Sequence, residues 1–282
     1  ALTSKGVTLT FYRNNATSIT PSGGSASTDD SLTQSCTIRN AATTCNITSP
    51  KITAPSNTPT VVGWNTNSTA TTSAWDQNTA KAVNANASYY AITKKNAVTR
   101  KATFTIQDAN AVTASATSAS CTITATYNGQ AQGTTCDITA PTLTAKSGYT
   151  SIGWNTNKNA TTSSVASGAK ITLSNNPTYY SITKNNTKLT ATFNTNGATS
   201  IGENTASCER YNGATSCQVT LPTITRNGFT INGWSTNKDA TSGTAAGEKV
   251  TLTGNATYYA LSSKGVTLTF YRNNATSITP SG

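Results

Sequence analysis

The sequence predicts a mainly β protein built as a tandem array of small modules, and three observations carry that prediction. Residues 6–23 read GVTLTFYRNNATSITPSG, and residues 265–282 repeat them 259 positions later. Between the two copies a Trp motif recurs, as Val62-Gly63-Trp64-Asn65-Thr66-Asn67, Ile152-Gly153-Trp154-Asn155-Thr156-Asn157 and Asn232-Gly233-Trp234-Ser235-Thr236-Asn237. Segments such as Val7-Thr8-Leu9-Thr10-Phe11-Tyr12 alternate apolar and polar residues with period two, the pattern of a half-buried strand. A fixed long period implies units that pack on themselves or on their neighbours.

Each element then falls into order. Phe11, Phe104, Phe193 and Phe270 mark an opening strand. A cysteine pair follows in each full module: Cys36 and Cys45, Cys121 and Cys136, Cys208 and Cys217. A proline stands five residues after each second cysteine, at Pro50, Pro141 and Pro222. The Trp strand comes next, and a Tyr-Tyr strand closes each module: Tyr89-Tyr90, Tyr179-Tyr180 and Tyr258-Tyr259. Threonine is abundant because its β-branched side chain suits a pleated surface while its hydroxyl tolerates water. No segment carries an apolar stripe of helical period and length, so at most one short helix per module is expected, in the proline-containing link. The boundaries that follow are 1–94, 95–184 and 185–264 for three modules, with 265–282 as the first strand of a further repeat. The 259-residue offset also predicts that this chain is a segment of a longer array continuing from Gly282.

The cysteine pairs flank turn sequences, Arg39-Asn40-Ala41-Ala42, Tyr127-Asn128-Gly129-Gln130 and Tyr211-Asn212-Gly213-Ala214. That pattern reads as a hairpin closed by a disulfide. Zinc sites take four ligands, and with no histidine in the chain metal binding is a weaker reading, as are free thiols. Short disulfide loops contribute about 2–3 kcal/mol each, a large share for modules of this size. Disulfides also place the chain outside the cytoplasm.

Composition excludes several functions. The formal charge is +11, but the Lys and Arg residues are spread along the chain rather than gathered on one face with stacking aromatics, which argues against nucleic acid as a partner. No run of eighteen apolar residues predicts a membrane span. Histidine-based triads are excluded, and no acid recurs at one place in all three modules, so no enzyme activity and no cofactor are expected. Trp64, Trp154 and Trp234 read as core anchors beside glycine. Trp75 has no counterpart at its position in the other modules, so it reads as a local cap or an exposed contact residue. Each Tyr-Tyr pair puts one ring on each face of its strand, one for the core and one for a junction or partner.

The segments Ser147-Gly148-Tyr149-Thr150-Ser151-Ile152-Gly153-Trp154 and Asn227-Gly228-Phe229-Thr230-Ile231-Asn232-Gly233-Trp234, with Leu221-Pro222-Thr223-Ile224-Thr225-Arg226 before the latter, resemble the signature of the Listeria–Bacteroides repeat, also called the internalin B-repeat. The closing Thr257-Tyr258-Tyr259-Ala260 is similar to the end of that repeat. The resemblance implies β-grasp-like domains strung together in bacterial surface proteins, with no catalytic residues. The cysteine pairs depart from the pattern, and the first module reads Thr58-Pro59-Thr60-Val61-Val62-Gly63-Trp64 where the family has Gly-Tyr.

The expected function is a structural stalk or fibre segment of a secreted bacterial surface protein, supporting adhesion or filament formation. Its expected partners are neighbouring repeats of the same chain, identical chains in a filament, or a glycan or host surface protein. The alternative is a binding module that holds a glycan or host protein through exposed aromatics. A threonine array facing an ordered surface such as ice is a third reading.

Overall fold

A computed structural model gives the fold, and it describes residues 2–279. Every regular element among the described residues is a β-strand. The short helix expected after each second cysteine does not form there. Pro50, Pro141 and Pro222 are followed instead by the strands Lys51–Thr53, Leu143–Ala145 and Ile224–Thr225. These links are too short to nucleate a helix. Their threonines and isoleucines favour extended backbone.

The chain divides into two compact units. One comprises residues 1–103, 117–140 and 169–178; the other comprises 104–116, 141–168 and 179–282.

In the first unit, strand Ser4–Tyr12 pairs antiparallel with Ser31–Arg39, placing Phe11 opposite Leu32. On its other side it pairs parallel with Ala87–Lys95, placing Phe11 opposite Tyr89. Thr60–Asn65 pairs antiparallel with Ala87–Lys95 and sets Trp64 opposite Ala91. Two ribbons complete this part: Ser18–Thr20 with Lys51–Thr53, and Cys45–Thr48 with Ala80–Val83. Val7, Leu9 and Phe11 are fully buried on one face of the opening strand, as its alternation predicts. Trp64, Ile19, Ile47 and Ala91 close the same core. The unit also holds the pairing of Ser118–Ile123 with Val98–Thr105, and the ribbon of Cys136–Thr139 with Lys170–Leu173.

The second unit repeats this plan. Leu189–Asn194 pairs antiparallel with Thr205–Cys208 and parallel with Ala256–Ser263, so that Phe193 faces Tyr258. Thr230–Ser235 pairs antiparallel with Ala256–Ser263. The ribbons are Ser200–Ile201 with Ile224–Thr225 and Cys217–Thr220 with Lys249–Leu252. Leu189, Ala191, Phe193, Leu221, Trp234 and Leu252 form the core. Tyr149–Asn155 pairs with Thr178–Asn185, and Val112–Ala114 with Leu143–Ala145.

The duplicated eighteen residues have two fates. In the first copy Val7 and Phe11 are at 0 % exposure; in the second, Val266 and Phe270 are at 79 % and 73 %. The strand expected at 265–282 is absent among the described residues, and Pro280, Ser281 and Gly282 lie outside them. The physical reason is pairing. The first copy lies between two strands that satisfy its backbone and cover its apolar face, and the second has neither.

Candidate functional site

The recurring aromatic set has one geometry. Phe11 lies 4.9 Å from Trp64, Phe104 4.9 Å from Trp154 and Phe193 5.1 Å from Trp234, between ring centroids. Tyr89, Tyr179 and Tyr258 pack on the same phenylalanines. All three tryptophans are at most 1 % exposed. A buried indole N–H needs an acceptor, and the recurring prolines supply it. Trp64 Nε1 donates to the Pro50 carbonyl at 2.9 Å, Trp154 to Pro141 at 2.9 Å and Trp234 to Pro222 at 2.8 Å.

The glycine before each tryptophan sits at a bulge in the Trp strand. Its φ is +135° at Gly63, +136° at Gly153 and +100° at Gly233, a left-handed backbone open to glycine. A Cβ there would meet the carbonyl oxygen of Trp75 at 2.9 Å, of Val165 at 2.6 Å or of Thr244 at 2.5 Å.

Those last three residues decide between the two readings of Trp75, cap or exposed contact. It is 6 % exposed, so its ring is no exposed contact. It packs edge-on against Tyr89 at 5.2 Å and donates its indole N–H to Thr79 O. It also has structural counterparts, because Trp64 bridges Trp75 as Trp154 bridges Val165 and Trp234 bridges Thr244. Residue type differs at the three positions while the backbone contact is shared.

The three disulfides are Cys36–Cys45, Cys121–Cys136 and Cys208–Cys217, with Cα separations of 5.9, 5.9 and 5.8 Å. Each ties the strand that pairs antiparallel with the opening strand to the first strand of a ribbon. Between the cysteines lies the turn, and two of these turns grip the preceding stretch of chain.

In Tyr127-Asn128-Gly129-Gln130 both central residues have positive φ, +53° and +79°, the type I′ geometry of a tight hairpin. The Asn128 side chain leaves the hairpin altogether. Its Nδ2 donates to Ser68 O at 2.9 Å and Ala70 O at 3.2 Å, and its Oδ1 accepts from Thr93 N at 3.2 Å. Its backbone N–H donates to Thr93 O at 3.0 Å. Asn212, with φ +53°, repeats all four contacts on Lys158 O, Ala160 O, and the N–H and C=O of Thr183, at 2.9–3.2 Å. The Trp-Asn-Thr-Asn motif builds the receiving side. Asn67 Oδ1 accepts from Thr69 N, and Asn157 Oδ1 from Asn159 N, folding a turn that aims two carbonyls at the incoming amide.

The second of these contacts carries charge. Glu209 accepts from the Tyr211 hydroxyl at 2.5 Å and lies 3.5 and 3.4 Å from the ammonium groups of Lys184 and Lys188. The Tyr211 hydrogen bond, helped by those lysines, holds the Glu209 carboxyl below the usual carboxylate range. The same bond raises the Tyr211 hydroxyl above its usual value. Asp137 is likewise lowered, first by its bond to Lys170 and then by Thr172, across the ribbon.

Of the Tyr-Tyr pairs, Tyr89 and Tyr179 are 8 % exposed. Tyr90 is half-buried and stacks on Tyr12 at 4.9 Å, in a shallow hollow with Arg13, Asn15 and Asp30. Among the described residues no group of three or more His, Cys, Asp or Glu side chains gathers as a metal site would require. Nor is any helix there long and apolar enough to cross a membrane.

The profile of the Listeria-Bacteroides repeat domain matches residues 122–182 and again 190–261. No curated protein and no solved structure matches the chain significantly.

Proposed function

On the premise that residues 122–182 and 190–261 belong to the Listeria-Bacteroides repeat domain family, we propose that this chain is a load-bearing stalk or fibre segment of a secreted bacterial surface protein. In this reading it consists of three non-catalytic modules, 1–94, 95–184 and 185–264, with 265–282 opening a further repeat. The observation that carries it is the recurrence of one contact: Asn128 and Asn212 seat in equivalent backbone sockets of the preceding stretch. A repeated joint with the same donors and acceptors is what an array needs and what an isolated enzyme domain does not. The strand arrangement supports a β-grasp-like module in which ribbons replace the helix. In the first stretch a parallel pair, 4–12 beside 87–95, is flanked by antiparallel strands. Disulfides fit an extracellular setting.

Single-molecule pulling on the 282-residue chain tests this. The reading expects three separate unfolding steps. Reduction then frees the length locked behind each disulfide, whose sequence separations are 9, 15 and 9. That is about 25 Å for the shorter loops and about 45 Å for the longer one, from the reach of an extended chain. One cooperative rupture, or no force plateau at all, contradicts it.

The binding reading keeps one supporting observation, the half-buried Tyr12–Tyr90 stack. Under that reading, Tyr90→Ala abolishes retention of the chain on an immobilised glycan panel; absence of any retention by the unaltered chain removes it.

A further inference from the structure

The third stretch carries a socket of the same construction as the two that Asn128 and Asn212 fill. Asn237 Oδ1 accepts from Asp239 N, as Asn67 and Asn157 do for Thr69 and Asn159, folding the turn that presents Lys238 O and Ala240 O. Asn196 Nδ2 already donates to Lys238 O at 3.0 Å, just as Asn14 Nδ2 donates to Ser68 O at 3.0 Å beneath the seated Asn128. A carbonyl has two lone pairs, so each of these oxygens serves two donors. Ser262 stands three residues after Tyr259, as Thr93 and Thr183 stand three after Tyr90 and Tyr180. Among the described residues no asparagine side chain bonds the Ser262 amide.

We infer that this third socket is a docking site for the Asn40 hairpin of a second copy of the first module, with the Asn40 side chain bridging Lys238 O, Ala240 O and Ser262 N–H. The inference rests on the modular reading above, and three observations identify the occupant. First, the duplication extends back beyond Gly6: Leu2, Ser4 and Lys5 recur as Leu261, Ser263 and Lys264, and Thr3 stands where Ser262 stands. Asn40 N–H donates to Thr3 O at 2.9 Å, matching the 3.0 Å bonds of Asn128 to Thr93 O and of Asn212 to Thr183 O. Asn40 therefore already holds the backbone of a residue equivalent to Ser262. Second, Asn40 has φ +54°, against +53° at Asn128 and Asn212. Third, the receiving side is open. Gly129 lies against Asn15, where a Cβ would come within 3.0 Å, and Gly213 lies against Asp108, where a Cβ would sit at 3.4 Å. The position equivalent to Asn15 and Asp108 in the third stretch is Gly197, so the Asn40 hairpin, whose Ala41 does not share the positive φ of Gly129 and Gly213, meets a surface with no side chain there. The Arg226 guanidinium lies 3.4 Å from where a Cβ on Gly197 would be, stacked on Phe229 and donating to Ser262 Oγ at 2.8 Å, and as the end of a long side chain it must swing aside for the hairpin to seat.

The test extends the full 282-residue chain by a copy of residues 24–94, so that 265–282 opens a complete second copy of the first module. Amide hydrogen exchange is read at Ser262, and tryptophan burial and disulfide mapping report folding of the added copy. With the copy folded, exchange at Ser262 slows about tenfold or more relative to the 282-residue chain, the scale of one added bond to a desolvated amide. Asn→Gly at the added copy's equivalent of Asn40 keeps the left-handed backbone, removes the side chain and restores the original rate. A folded copy with unchanged Ser262 exchange overturns the docking inference and leaves the modular reading standing, as does slow exchange that survives the Asn→Gly change. An added copy that does not fold overturns both.

Discussion

Trp154 donates its indole N–H to the carbonyl of Pro141 at 2.9 Å, from a position at 0 % exposure. The bond joins two residues that recur together along the chain, and it gives each proline a role. The ring also fills the core against Phe104. Trp154→Phe, which keeps a ring but no N–H, leaves the Pro141 carbonyl without that donor and is expected to cost about 1–3 kcal/mol. Trp154→Ala also opens a cavity and is expected to cost about 3–5 kcal/mol. Denaturant unfolding followed by tryptophan fluorescence separates the two.

Gly153→Ala should damage the same site from the backbone side. The new Cβ would lie 2.6 Å from Val165 O at a φ of +136°, so the bulge must shift. A loss of about 1–3 kcal/mol is expected from the strained backbone alone. Gly148→Ala serves as the comparison: it has φ +84° with nothing within 4 Å of its Cβ, so it suffers the backbone strain without the clash and costs less. Equal losses at both positions would show that the bulge is not the constraint.

Replacing Cys208 and Cys217 together by alanine releases a short loop between strands Thr205–Cys208 and Cys217–Thr220. The expected loss is about 2–3 kcal/mol by the chain-entropy estimate. The strand content should survive, because the paired strands are held independently by Leu189–Asn194 and Lys249–Leu252. Far-ultraviolet circular dichroism and thermal unfolding check both halves.

Glu209 and Tyr211 make the second joint pH-dependent. The Glu209 value is lowered in the fold, so its contribution is complete above the ordinary glutamate value and is lost as pH falls through the lowered one. The Tyr211 value is raised, so its contribution is complete below the ordinary tyrosine value and is lost as pH rises through the raised one. Exchange at the Thr183 amide should therefore depart from the intrinsic pH trend below about pH 4 and above about pH 10. Glu209→Gln should flatten the acid departure; a profile unchanged by that substitution contradicts the assignment.

Much of the fold was legible because one period fixes many positions at once. Phe11, Trp64 and Tyr89 stand at spacings that recur, and alternation along Val7–Phe11 assigns the buried face. The disulfides were legible from local pairing around turn residues. The counterparts of Trp75 were missed because they are Val165 and Thr244, which share a backbone bridge and no side-chain chemistry. The Asn128 and Asn212 contacts were read only as hairpin turns. Their partners are backbone carbonyls and amides, which leave no mark in residue identity. The exposed copy at Val266 and Phe270 shows why local pattern is insufficient: identical residues form a strand only where neighbouring strands receive them.

Asn128 and Asn212 make the same four contacts, each on the stretch of chain that precedes it. Amide exchange at Thr93 and Thr183, measured in the unaltered chain and in Asn128→Gly and Asn212→Gly, reads this equivalence, because glycine keeps the left-handed backbone and removes only the bridging side chain. Asn128→Gly should accelerate exchange at Thr93 about tenfold while Thr183 is unchanged, and Asn212→Gly should do the reverse. Protection at Thr93 and Thr183 that persists in both variants would contradict it.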